Sequence, residues 1–138
     1  MREILFKAKR INNGKWVEGY LFETREHTYI AYANQFDDDL FYATSNIFIL
    51  VDPNTLCRYT GLNDKNGNKI WENDVVKHYN SKYEPNAFVM GTICWSQNTS
   101  TFLRTSRHSH LHWHISSDCR YEVIGNIFDN PELLKEGD

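Results

Sequence analysis

Asn13-Gly14 separates two segments in which apolar and polar residues alternate. Ile4, Phe6 and Ala8 precede it, interleaved with Leu5, Lys7 and Lys9, and Trp16 to Phe22 follows as the partner segment. Alternation puts every second side chain on one face of a strand. Asn-Gly is the strongest short hairpin signal, because a two-residue type I′ turn needs positive φ at both positions. The first residues are thereby committed to antiparallel sheet.

The same punctuation recurs down the chain. His27–Ala33, Phe41–Tyr42 and Asn46–Val51 read as strands, with Gln35–Asp39 as a loop. Asp52-Pro53-Asn54 ends the last of them, since proline fixes φ and has no N–H to donate. A second block follows from about residue 55. There, 58–62 leads into a run of turn formers at 63–68, and the expected strands are 69–71, 75–79, 88–95, 101–104, 108–115 and 121–128, separated by runs of Asn, Asp, Gly and Ser. Gly91 inside a strand predicts a bulge or a close backbone approach. Only the tail has helical signals: Asn130 to cap, Pro131 at the first position and Glu132 against the helix dipole. The expected fold is mainly β, with many short antiparallel strands in two small lobes. These cover about 1–54 and 55–138, the second resembles an SH3-like barrel, and a short C-terminal helix follows.

Aromatic residues make up 14% of the 138 residues, which suits packing on pleated surfaces. The 15 basic and 18 acidic residues give a net charge of -3, which argues against long-range attraction to nucleic acid. MREILFKAKR lacks the apolar core of a signal peptide, and the longest apolar run, 47–51, is far too short to cross a membrane. Cys57, Cys94 and Cys119 are odd in number and form no CxxC, so neither a disulfide framework nor a zinc knuckle is expected. These features together predict a reduced, cytoplasmic protein.

The stretch YTGLNDKNGNKIWENDVV, residues 59 to 76, resembles the signature of the YopX family: TGL, then DKNG, then a hydrophobic residue, then EGD and a β-branched pair. REILFKAKRINNGKWVEGYL at the start and EVIGNIFDNPELL at the end are similar to the ends of that family. The resemblance implies a small β-rich protein of phages, prophages or plasmids, with a bacterial cell as its location and no established biochemical role. It brings no catalytic residues and no cofactor. The motif residues Thr60, Gly61, Leu62, Asp64, Lys65, Asn66, Gly67, Trp71, Glu72, Asn73 and Asp74 are read as structural. Asp64, Asn66 and Gly67 form a tight turn, Trp71 supplies core, and Asp74 bonds the turn backbone. Asn73 stands where the family has glycine; asparagine is the side chain that best tolerates positive φ.

RHSHLHWHIS, residues 107 to 116, carries four histidines two apart: His108, His110, His112 and His114. On a strand they form one row, with Leu111, Trp113 and Ile115 on the other. Neighbours two apart lie roughly 6.5 Å from each other along a strand. One strand therefore cannot close a tetrahedral metal site, and a further ligand is required, from Asp118, Cys119 or a neighbouring subunit. A polar strand face is the expected reading, with a metal-dependent enzyme or a pH-sensitive interface as alternatives. Asp37-Asp38-Asp39 lacks the glycine and distal glutamate of a calcium loop and reads as a solvated turn. Glu72 and Asp74 read as turn residues rather than a general acid–base pair. Ser106, His108 and Asp118 are triad residue types without the surrounding motif.

Two basic–aromatic clusters remain: Lys7, Lys9, Arg10 and Lys15 near Trp16, and Lys65, Lys69 and Lys77. Solvated strand faces are the expected reading, and a nucleic-acid-binding module the alternative. The expected role is non-catalytic: protein–protein interaction with itself or with a host or phage protein, because strand edges and exposed aromatics need cover.

Overall fold

The computed structural model describes residues 4–32, 48–79, 84–98, 100–105, 112–115 and 120–134. Eleven strands and two 3-10 turns are found among them. The chain divides into two compact units, 1–59 and 60–138, and the division falls inside one strand.

In the first unit, β1 (Phe6–Lys9), β2 (Trp16–Glu23), β3 (Thr28–Tyr32) and β4 (Phe48–Val51) form an antiparallel meander. The start of β5 (Cys57–Asn63) pairs on the far side of β1, giving the order β4-β3-β2-β1-β5. Period 2 decides which residues are buried. Ala8, Val17, Ile30 and Val51 point inward, and Phe6, Ile49 and Leu56 pack against them. The sheet curls until Arg10, just past β1, bridges Val51, while Ile11 N–H donates to Leu50 O at 3.2 Å.

The hairpin at Asn13-Gly14 is present with a different turn. Gly14 takes positive φ (71°), but Asn13 does not share it. Asn13 Oδ1 instead accepts the Lys15 N–H at 2.9 Å. Gly14 N–H donates to Arg10 O at 2.9 Å, making a four-residue loop in place of the two-residue type I′ turn. An asparagine side chain that bonds its own backbone competes with the turn that its dipeptide suggests. After β4, Asp52-Pro53-Asn54 does stop the strand. Pro53–Thr55 is a 3-10 turn whose Asn54 N–H is capped by Asp52 Oδ1 at 2.9 Å.

In the second unit, the end of β5 pairs with β6 (Lys69–Trp71). The other strands are β7 (Asp74–His78), β8 (Val89–Ser96), β9 (Thr101–Thr105), β10 (His112–His114) and β11 (Tyr121–Asn126). They form an antiparallel sheet in the order β10-β9-β8-β7-β11. Ile70, Val76, Ile93, Phe102 and Tyr121 make the core, with Leu62, Trp95, Ile115 and Val123 against it. Gly91 is the close approach that its position in a strand suggested: a Cβ there would collide with the Thr105 carbonyl and crowd Arg104 Cγ.

Two expectations are corrected. The second unit is not an SH3-like barrel: β10 and β11 are opposite edges of its sheet, so the strands do not close. The C-terminal helix is also absent. Pro131–Leu134 is one 3-10 turn, and no α-helix occurs among the described residues. Asn130 Oδ1 turns back to accept the Asn126 N–H at 3.2 Å instead of capping forward. A segment this short cannot offset the cost of helix nucleation.

Candidate functional site

Every second residue of β2 belongs to the core side, which leaves Tyr20 and Phe22 outside. Register extends their row across two more strands. Phe22 pairs with Tyr29 and Tyr29 with Leu50; Tyr20 pairs with Ala31 and Ala31 with Phe48. Directly paired residues share a face in an antiparallel sheet. The result is an outer face of Tyr20, Phe22, Tyr29, Ala31, Phe48 and Leu50, bordered on β2 by exposed Glu18. Tyr20 is 53% exposed, Phe22 47%, Phe48 51% and Leu50 37%. The Phe22 ring lies 5.1 Å from Phe48 and 6.1 Å from Tyr29, centroid to centroid. Contiguous exposed apolar surface of this kind is uncommon on a monomeric protein. The sequence carries its signal: Tyr20-Leu21-Phe22 and Phe48-Ile49-Leu50-Val51 are apolar on both faces, whereas a solvated strand is apolar on one.

The first basic–aromatic cluster is assembled at the other end of β2. Lys7 Nζ and Lys9 Nζ lie 4.5 and 5.4 Å from the centre of the Trp16 ring. In the second unit, Lys65 Nζ lies 4.1 Å over Tyr79 and Lys77 Nζ 4.4 Å over Phe88. Tyr79 O–H donates to Glu122 Oε1 at 2.8 Å; that bond, with burial and the carboxylate charge, raises the phenol above its ordinary pKa. Lys69 is half-buried in β6.

The YopX-like motif is a set of backbone clasps. Thr60 Oγ1 donates to Ile70 O at 2.7 Å and accepts the Leu62 N–H at 3.1 Å, spanning Gly61 at φ 88°. Asp64 is 3% exposed. Its Oδ1 accepts the Asn66 and Asn68 N–H groups, each at 2.9 Å, and its Oδ2 accepts the Val123 N–H at 3.0 Å. Burial pushes the Asp64 pKa up, but these bonds outweigh it and hold the carboxyl below its ordinary value. Lys65 N–H donates to Tyr121 O at 2.9 Å. Trp71 is core, and its N–H donates to Asp74 Oδ2 at 2.8 Å. Asn73 does take positive φ, 75°; its N–H donates to Ile93 O and its C=O accepts from Ile127. Asp74 is thus used by the turn. Glu72 adds to the burial that raises the Cys94 thiol.

His108, His110, Ser106, Asp118, Cys119 and Asp37–Asp39 lie outside the described residues, as do the side chains of His112 and His114. The backbone places His112 opposite Thr105 and His114 opposite Leu103. Among the described residues, no three His, Cys, Asp or Glu side chains gather as metal ligands, and no helix is long and apolar enough to cross a membrane.

The fold is that of a mainly β protein of two antiparallel sheets, one of which bears an exposed aromatic face. The chain belongs to the YopX family: the model of that family, described as YopX protein, matches residues 5–135. Among solved structures it is similar to protein EF1440 from Enterococcus faecalis, at 21% identity and a TM-score of 0.54, over 98% of this chain and 100% of that one. At that identity the likeness shows the fold alone. No curated protein matches the sequence.

Proposed function

We propose that this YopX-family protein is a non-catalytic phage or prophage accessory protein that acts in the bacterial cytoplasm by protein–protein contact, first of all with a second copy of itself. The observation that carries the reading is the outer face of β2, β3 and β4, where Tyr20, Phe22, Phe48 and Leu50 stand 53%, 47%, 51% and 37% exposed. A face whose centre is aromatic and apolar, with Glu18 at its β2 border paired across strands with Lys7, can meet itself across a two-fold axis, the geometry of an isologous dimer.

Magnitudes set the strength. Covering a half-exposed aromatic or leucine contributes roughly 1 kcal/mol. Four such residues on each of two copies supply about 8 kcal/mol before the cost of association is subtracted. At least about 4 kcal/mol of this is lost to association, so binding is weak, with dissociation at about the millimolar level. Sedimentation velocity over a dilution series tests this. The wild type should shift from dimer to monomer on dilution, and Phe22→Ser should remain monomeric at the highest concentration. A wild type that is monomeric throughout rules out self-association through this face.

A further inference from the structure

We propose that Lys65, Lys77, Tyr79 and Phe88 form a binding site for single-stranded nucleic acid, the two rings stacking bases and the two lysines contacting phosphates.

The site lies within the second unit and does not depend on the face used for self-association. Each of its rings carries its own cation: Lys65 Nζ stands 4.1 Å over Tyr79 and Lys77 Nζ 4.4 Å over Phe88. The rings meet edge to face, 5.7 Å apart at 60°. Backbone bonds fix the arrangement, because Lys65 N–H donates to Tyr121 O and Tyr79 N–H to Arg120 O on the same stretch of chain. The Tyr79 hydroxyl is tied to Glu122, which sets the plane of that ring. Phe88 is 42% exposed, so its ring is open to a ligand.

This pairing selects the occupant. An apolar protein surface would cover the rings and gain nothing from the lysines. An acidic peptide would engage the lysines and gain little from the ring faces. A nucleotide presents both a flat base and a phosphate, and the unit of ring plus cation occurs here twice. An exposed ammonium over a ring is held weakly, and base stacking on an aromatic ring is stronger. The lysine can therefore leave the ring for a phosphate as a base takes its place. Every base has a stacking face, so little sequence preference is expected. One group opposes binding: Glu122 is the cross-strand partner of Lys77 and brings a carboxylate beside the phosphate path. With the whole chain at a net charge of -3, attraction is local and sensitive to salt.

Fluorescence anisotropy of a labelled oligothymidylate of about twelve nucleotides, within the length one such site covers, tests the proposal on the full chain. Saturable binding is expected at low salt. The slope of log affinity against log salt should be about −1.4, for two phosphates neutralised on a single strand. Lys65→Gln with Lys77→Gln should weaken binding at least tenfold and flatten that slope. Phe88→Ala should weaken it by roughly five- to a hundredfold, the effect of losing one stacked base. Should Phe88→Ala unfold, Glu122→Gln decides, since it keeps the acceptor for Tyr79 and removes the opposing charge: it must tighten binding. Phe22→Ser should leave binding unchanged, which separates this site from the self-association face. The proposal is overturned by no saturable binding at low salt, by lysine variants that bind like the wild type, or by a Glu122→Gln affinity that is equal or weaker. Polyglutamate binding with the same variant pattern, in place of the oligonucleotide, would overturn it in favour of an acidic peptide.

Discussion

Asp64 Oδ2 accepts the Val123 N–H at 3.0 Å, joining the β5–β6 turn to β11 across 59 residues of chain. The same carboxylate holds its own turn through Asn66 and Asn68. Local and long-range order therefore depend on one ionised group. Its pKa lies below the ordinary carboxylate value, because three backbone N–H bonds outweigh burial. For a folded-state pKa that is depressed, the stabilisation is complete above the unfolded value of about 3.9 and is lost as pH falls through the folded one. Urea unfolding should show stability declining below about pH 4. Asp64→Asn should lose about 1–3 kcal/mol at neutral pH, since one buried N–H loses its acceptor. It should also flatten the acid limb; a variant with the wild-type acid limb would contradict this role.

Asn73 holds φ at 75° between β6 and β7. Asn73→Gly should be close to neutral, because relief of backbone strain offsets the entropy glycine loses on folding. Asn73→Ala should lower stability by about 1 kcal/mol. Thermal melts of the two variants provide the comparison, and an alanine variant as stable as the glycine one would remove the backbone explanation.

Gly91→Ala should be among the most damaging single changes in the second unit. The added methyl would meet the Thr105 carbonyl and Arg104 Cγ, so β8 and β9 would have to separate. A loss above about 3 kcal/mol is expected. Soluble expression and a denaturation curve report it directly, and a loss under 1 kcal/mol, on the order of a tolerated surface change, would show that the strands can shift apart.

Much of this was legible in the sequence where local chemistry decides the outcome. The β5–β6–β7 run was readable because Gly67, Asn73 and Asp74 each fit one backbone task, and Gly91 announced a close approach. Asn13-Gly14 placed the hairpin but not its turn, because the Asn13 side chain took the Lys15 N–H. The tail misled because Asn130 bonded backward to Asn126, a choice its neighbours do not reveal. The open order of β7–β11 depends on pairing over long separations, such as Val123 with Val76, which periodicity does not encode. The aromatic face was half-visible: Tyr20 and Phe22 alternate correctly, but only register sets Tyr29, Phe48 and Leu50 beside them.

Phe22→Ser should separate folding from association. The ring touches Phe48 and Tyr29 but contributes nothing to the Ala8–Val17–Ile30–Val51 core. Monomer stability should fall by about 1 kcal/mol, the size of an exposed aromatic pair. Self-association should weaken at least tenfold. A chain that unfolds on this change would reassign Phe22 to the fold.

Native mass spectrometry of the untagged protein, purified from a bacterial host without added metal, tests the central claim most directly. A species at a whole multiple of 16.3 kDa with no added mass, lost in Phe22→Ser/Phe48→Ser, is the expected result. A wild-type chain that stays at the monomer mass at every concentration, or a multiple that survives the double substitution, would contradict it.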